Sequence, residues 1–133
     1  MKTFGDLFTD RQLVALNTFS ELVHEARKQI EEDALTVGHS DEPNPLREGG
    51  TGAKAYAEAV SVYLALSISS RCTDFNNSLT GWSHSNQKVM HLFNRQAIPM
   101  VWDFAEANIL ENVVGGFLPG VNFTAKCLGR TSH

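Results

Sequence analysis

The chain has 133 residues, 42% of them hydrophobic and 20% charged, which fits one ordinary globular domain with a core of its own. A net charge of −4 argues against an autonomous nucleic-acid binder, which needs a basic face to displace counterions from phosphates, but leaves room for a neutral patch that assists a larger enzyme. No run approaches the roughly 20 apolar residues that span a bilayer, and Met1-Lys2-Thr3-Phe4-Gly5-Asp6 holds no apolar signal core, so no membrane partner is expected and the location is read as cytoplasmic.

The first helix is expected from about Asp10 to Ala34. Thr9 is a good N-cap, Gln12 follows three residues later to complete a capping box, and Phe8 is placed to staple onto Leu13. Leu13, Leu16, Phe19, Val23, Ala26 and Ile30 recur at three- and four-residue steps as one apolar stripe. Glu21, Glu25, Lys28 and Glu32 occupy the other side. Between Val37 and Gly52 the periodicity stops, and Gly38, Pro43, Pro45, Gly49, Gly50 and Gly52 punctuate a polar stretch. Such a segment buries too little to order itself, so a flexible loop is expected, an insertion in preference to a mobile functional element.

A second helix is expected from about Ala53 to Cys72, with Tyr56, Ala59, Val60, Tyr63, Leu64, Ser67 and Ile68 on its apolar face. Thr73 to Gly81 reads as a polar connection. Ser83 or Ser85 is placed to cap a third helix carrying Val89, Met90, Leu92 and Phe93, which ends before Pro99. Pro99 then opens a further helical turn with Val101, Phe104, Ala105 and Asn108 on one side, or else 98–104 is a strand. After Gly115-Gly116, a last helix from Pro119 to Leu128 turns Val121, Ala125 and Leu128 inward, with Gly129 as its C-cap. The fold class is therefore mainly α: an irregular helical bundle of about four to five helices in a single domain, 1–133, with a long Gly/Pro loop over about 37–52.

The chemistry is sparse. The five histidines lack metal-ligand spacing, although His84 and His91 stand two helical turns apart, so no metal site is expected. Cys72 and Cys127 form no motif and read as reduced, buried, small apolar residues. Gly49-Gly50-Thr51-Gly52-Ala53 fails both the dinucleotide and the P-loop patterns and reads as a hinge. The densest run lies from Phe93 to Asn108. On a helix Asp103 and Glu106 share a face, as acid–base groups or, more plainly, as a cap and an ion pair with Arg95. Arg95 and Gln96 suit phosphates or base edges, or the end of a helix. Trp102 and Phe104 read as core before they read as a base-stacking platform.

These residues also carry a family resemblance. Phe4-Gly5-Asp6-Leu7-Phe8-Thr9-Asp10-Arg11-Gln12-Leu13 resembles a block of the large adenine-specific DNA methylases that bear a zinc-ribbon segment and an N-terminal domain of unknown function, some of them at anti-phage loci. Leu16 to Val23, Tyr56 to Val60 with Tyr63 to Leu66, Asp74 to Trp82 and, most strongly, Arg95 to Asn108 continue the match in order. Ile109-Leu110 departs from the family's preferred Pro-Phe.

In that family S-adenosylmethionine is held by a glycine-rich motif and the target amine is met by Asp-Pro-Pro-Tyr, with this region between them. Neither motif occurs in these residues. The resemblance thus implies a truncated or excised helical segment of an adenine-specific DNA methyltransferase, not an enzyme in isolation and without a cofactor of its own. DNA would be its partner in the full enzyme, with Arg95, Gln96, Trp102, Asp103, Glu106 and Asn108 as DNA- or substrate-side candidates and no catalytic residue. The alternative is a free-standing helical interaction or self-association module. An apolar patch around Trp102, Phe104, Phe117 and Phe123 would serve such a homo-oligomer.

Overall fold

The computed structural model of the chain describes residues 2–92 and 104–131. Its elements are α1 (Asp10–Thr36), α2 (Ala53–Ser67), a π turn (Ile68–Cys72), the short α3 (Thr73–Phe75), a two-stranded hairpin of β1 (Trp82–Ser83) and β2 (Lys88–Val89), and α4 (Phe117–Thr131), with single 3-10 turns at Phe4–Leu7 and Leu46–Glu48. Because α2, the π turn and α3 follow one another without a break, the described residues form three helical rods, not the four to five expected. The chain folds as two compact units, one of residues 1–17 and 67–133, the other of residues 18–66.

The start of α1 is set by the expected capping box. The Thr9 N–H donates to Gln12 Oε1 at 2.9 Å, and the Gln12 N–H donates to Thr9 Oγ1 at 3.3 Å, which satisfies amides that the first turn leaves without helical partners. Along α1 the predicted stripe is buried or half-buried throughout, and Glu21, Glu25, Lys28 and Glu32 are exposed.

In the unit of residues 18–66, the stretch between α1 and α2 is irregular, as its composition predicts, but it is stitched from within. The Glu42 carboxylate accepts from the Thr51 N–H and hydroxyl and from the Asn44 amide, and these bonds hold its carboxyl below the usual range. The Ala53 N–H donates to Ser40 O at 2.9 Å, and the Leu46 N–H to Glu58 Oε2 at 2.8 Å. Gly50 and Gly52 serve close backbone approach and not a hinge: a Cβ on Gly50 would overlap the Asn44 carbonyl, and one on Gly52 would lie 2.6 Å from Ser40 O. On α2, Ala53, Ala55 and Ala57 are buried, whereas Tyr56 and Tyr63, both expected inward, are exposed. The small residues permit close packing and leave the bulky ones outside.

The other unit departs most from expectation. Its core is Phe75, Val89 and Ala107, with Ala105 packed against them. The expected third helix is absent from residues 83–92. Trp82 instead pairs antiparallel opposite Val89, and the Met90 N–H donates to Gly81 O at 2.9 Å. Ser83-His84-Ser85-Asn86-Gln87 is turn-forming chemistry, and Val89 and Leu92 bury themselves without a helix. The described end of the Pro99 segment, residues 104–108, is likewise neither helix nor strand.

Residues 73–81 are far from a mere polar connection. Asn76, Asn77 and Thr80 are buried, and the two asparagine amides stand in for backbone partners where the helix ends. Asn76 Nδ2 donates to Cys72 O and Gly115 O, while Asn77 Nδ2 donates to Thr73 O and Asp74 O.

Helix α4 runs through Gly129, the expected cap, to Thr131. Gly120 meets Arg71 Cβ at 3.3 Å from its virtual Cβ, and Thr124 Oγ1 lies 2.8 Å from Ser67 Oγ. This small, polar face docks on the π turn, so Ala125 and Leu128, expected inward, are exposed and Val121 is only half-buried. Cys127 is exposed too, in contrast to the buried Cys72, whose thiol is pushed up to about 11 by desolvation.

Candidate functional site

Four of the six candidate residues, Arg95, Gln96, Trp102 and Asp103, lie outside the described residues. The other two, Glu106 and Asn108, fall in the strip that crosses the unit of residues 1–17 and 67–133. This strip is held by its backbone: the Ala105 N–H donates to Thr80 O at 2.8 Å and the Ala107 N–H to Phe75 O at 3.5 Å.

Glu106 sits at a hub. Gln12 Nε2 donates to Glu106 Oε2 at 2.7 Å and also to Asn77 O at 3.1 Å. Arg11 meets the same carboxylate side-on, with Nη2 at 3.1 Å from Oε1 and Nε at 3.4 Å from Oε2. Both carboxylate oxygens are therefore engaged, with Arg11 as an ion-pair partner, while the expected partner Arg95 lies outside the described residues. A carboxylate so committed anchors the strip to α1 and is poorly placed to shuttle protons. The amide of Gln12 spends its acceptor on the cap and its two donors on the hub, so it too is structural.

Asn108 has a different setting. Its Oδ1 accepts the Leu110 N–H at 3.0 Å, closing an Asx-type turn, and the side chain is exposed. Glu106, Ala107 and Asn108 line two clefts. One, of about 360 Å³, opens toward Arg11, Leu16 and Ile109. The other, of about 490 Å³, opens toward Trp82, Lys88, Val113 and Val114.

A third group was invisible in the sequence. His91 Nδ1 lies 2.6 Å from Asp74 Oδ2, Asp74 Oδ1 accepts the Leu92 N–H at 2.9 Å, and the imidazole packs on the Phe75 ring with centroids 4.4 Å apart. His84 and His91 do not share a helical face, because both belong to the hairpin region. The 17-residue separation of Asp74 and His91 has no periodicity to reveal it. Among the described residues, no three His, Cys, Asp or Glu side chains gather as a metal site, and no helix is long and apolar enough to cross a membrane.

Of the expected apolar patch, Phe104 is 49% and Phe123 48% exposed, Phe117 is half-buried, and Trp102 lies outside the described residues. The Arg71 guanidinium covers one face of Phe123 at 4.4 Å. Compared with known proteins, the chain matches no family model, no curated protein and no solved structure.

Proposed function

We propose that this chain is the helical, DNA-side segment of a cytoplasmic adenine-specific DNA methyltransferase, carried without the glycine-rich cofactor motif or the catalytic tetrapeptide. The observation that supports the reading best is the Gln12 amide. The blocks that resemble the methylases are remote in sequence, yet this one side chain ties three of them together: its own block, the block ending in Trp82 through Asn77 O, and the strongest block through Glu106. Blocks that occur in order and interlock in one unit are what an inherited structural segment requires.

On this reading Glu106 is an anchor, and Asn108, exposed between two clefts, is the candidate that meets substrate; Arg95, Gln96, Trp102 and Asp103 retain their proposed DNA-side roles. In a full-length methylase of the resembling family, Ala at the counterparts of Arg95, Asp103 and Asn108 should lower methylation at least tenfold while S-adenosylmethionine binding persists. Normal methylation by that triple variant would remove the site role. The chain alone should transfer no methyl group to DNA; transfer would overturn its assignment as a non-catalytic segment.

One observation favours the second reading, a self-association module. Leu118 on α4 is 62% exposed, and Phe123 on the same helix is 48% exposed. Sedimentation should then show a concentration-dependent dimer that Leu118→Lys abolishes, and a monomer at every concentration would discard this alternative.

A further inference from the structure

We propose that the cleft between the hairpin and residues 106–114 binds one unpaired nucleotide, with the base against Trp82 and the phosphate at Lys88. The cleft measures about 490 Å³, within the roughly 300–1,000 Å³ that holds small organic ligands. Its wall combines a flat aromatic surface with unspent polar groups. Trp82 is 39% exposed and pairs with Val89 across the hairpin, so both side chains face the same cavity. An exposed indole beside Val113 and Val114 is a stacking platform, since every base has an apolar face to offer it.

Polar recognition comes from the residues around the indole. Asn108, in the cleft wall, uses its Oδ1 on Leu110, which leaves its Nδ2 as a donor. Asn112 brings a complete amide, donor and acceptor together, which is the pattern that matches a base edge. Lys88 is exposed at the cleft wall and supplies the positive charge a phosphate needs. Glu106, also in the wall, is held by Arg11 and Gln12, so its charge is compensated where the phosphate would approach. Next to Lys88, Gln87 has a φ of 55°, the one non-glycine positive φ among the described residues. A left-handed residue here closes the tight hairpin loop between Ser83 and Lys88.

This geometry also resolves the difficulty of the acidic chain. A net charge of −4 cannot track a duplex backbone, but a single base and a single phosphate need only one platform and one cation. The ligand is a nucleobase with its phosphate, from an unpaired DNA strand or from a free nucleotide. The inference deepens the DNA-side reading above, but it rests on cleft chemistry in the chain itself and is tested apart from methylation.

The chain has two tryptophans, so Trp102→Phe leaves Trp82 as the only indole. In that background, deoxyadenosine 5′-monophosphate and a short oligo(dA) should quench the emission saturably, and deoxyadenosine should bind several-fold more weakly than its phosphate. Lys88→Ala should erase the difference between nucleoside and nucleotide. Trp82→Ala, read by amide chemical shifts, should weaken binding about tenfold or more, and Asn112→Asp, at an exposed irregular position, should weaken it without touching the core. In the unsubstituted chain the shifts should cluster at Trp82, Lys88, Asn108 and Asn112.

Tighter, salt-sensitive binding of oligo(dA) identifies a DNA strand as the source; equal affinity identifies a free nucleotide; either supports the cleft. No saturable shifts with either ligand in the unsubstituted chain, or shifts that map elsewhere, overturn it. Binding here together with a failed methylation test would remove the methylase reading and keep the nucleotide site.

Discussion

Gln12 Nε2 donates to Glu106 Oε2 at 2.7 Å across 94 positions of sequence, while the same side chain closes the capping box of α1. One residue thus starts a helix and locks a distant strip of irregular chain onto it. The capping rule treats Gln and Glu alike at this position. The hub does not, because Glu would set a second carboxylate against Glu106 and deprive Asn77 O of its donor.

Gln12→Glu should therefore destabilise the chain by about 2–4 kcal/mol at neutral pH, more than the about 1–3 kcal/mol expected of Gln12→Ala. Part of the Glu loss should be recovered on acidification, as one of the two carboxyls takes up a proton. Urea unfolding midpoints at constant slope measure both effects. A Glu variant as stable as the parent would show that the hub contributes nothing.

Two glycines with positive φ make a graded pair. Gly115 has a φ of 91°, and a Cβ there would lie 2.6 Å from the Cβ atoms of both Ala107 and Phe75. Gly49 has a φ of 79° with nothing within 4 Å of its virtual Cβ. Gly49→Ala should cost about 1 kcal/mol from backbone strain alone. Gly115→Ala adds core overlap and should cost about 3 kcal/mol or more. Equal thermal midpoints for the two variants would contradict the packing around Gly115.

The two thiols should separate cleanly in alkylation. Burial pushes Cys72 up to about 11, so at pH 8 about 0.1% of it is thiolate. Cys127 is exposed and open to the reagent. Mass spectrometry after a short iodoacetamide pulse should find Cys127 modified and Cys72 intact. Cys72 should react at the Cys127 rate only in denaturant, and early labelling of native Cys72 would contradict its burial.

Glu42 ties the loop between α1 and α2, and its carboxyl is lowered from an ordinary 4.5 by bonds from Thr51 and Asn44. A lowered folded value contributes stability that is present above the unfolded value and is lost as pH falls through the folded one. The Thr51 amide should therefore stay protected from hydrogen exchange at neutral pH and lose protection only below the ordinary carboxylate range. Glu42→Gln should expose it at neutral pH as well. A protection factor that ignores both acid and the substitution would detach Glu42 from the order of this loop.

The residues alone made local structure legible. Apolar periodicity and the Thr9–Gln12 box placed α1 to within two residues, and Ala-rich periodicity placed the helical run that begins at Ala53, since cap chemistry and a 3.6-residue stripe are written within a few positions of one another. The site was legible only as a dense run. That Glu106 would meet Arg11, and that Asp74 would reach His91, depends on pairs separated by 95 and 17 positions, which no period encodes. Tertiary structure also decided the hairpin over a third helix, because a short apolar run such as Val89 to Leu92 suits either form and burial against Phe75 and Ala107 selects one. It decided the inward face of α4 as well: Gly120 and Thr124 fit the π turn closely, so small residues went in and Leu118 stayed out.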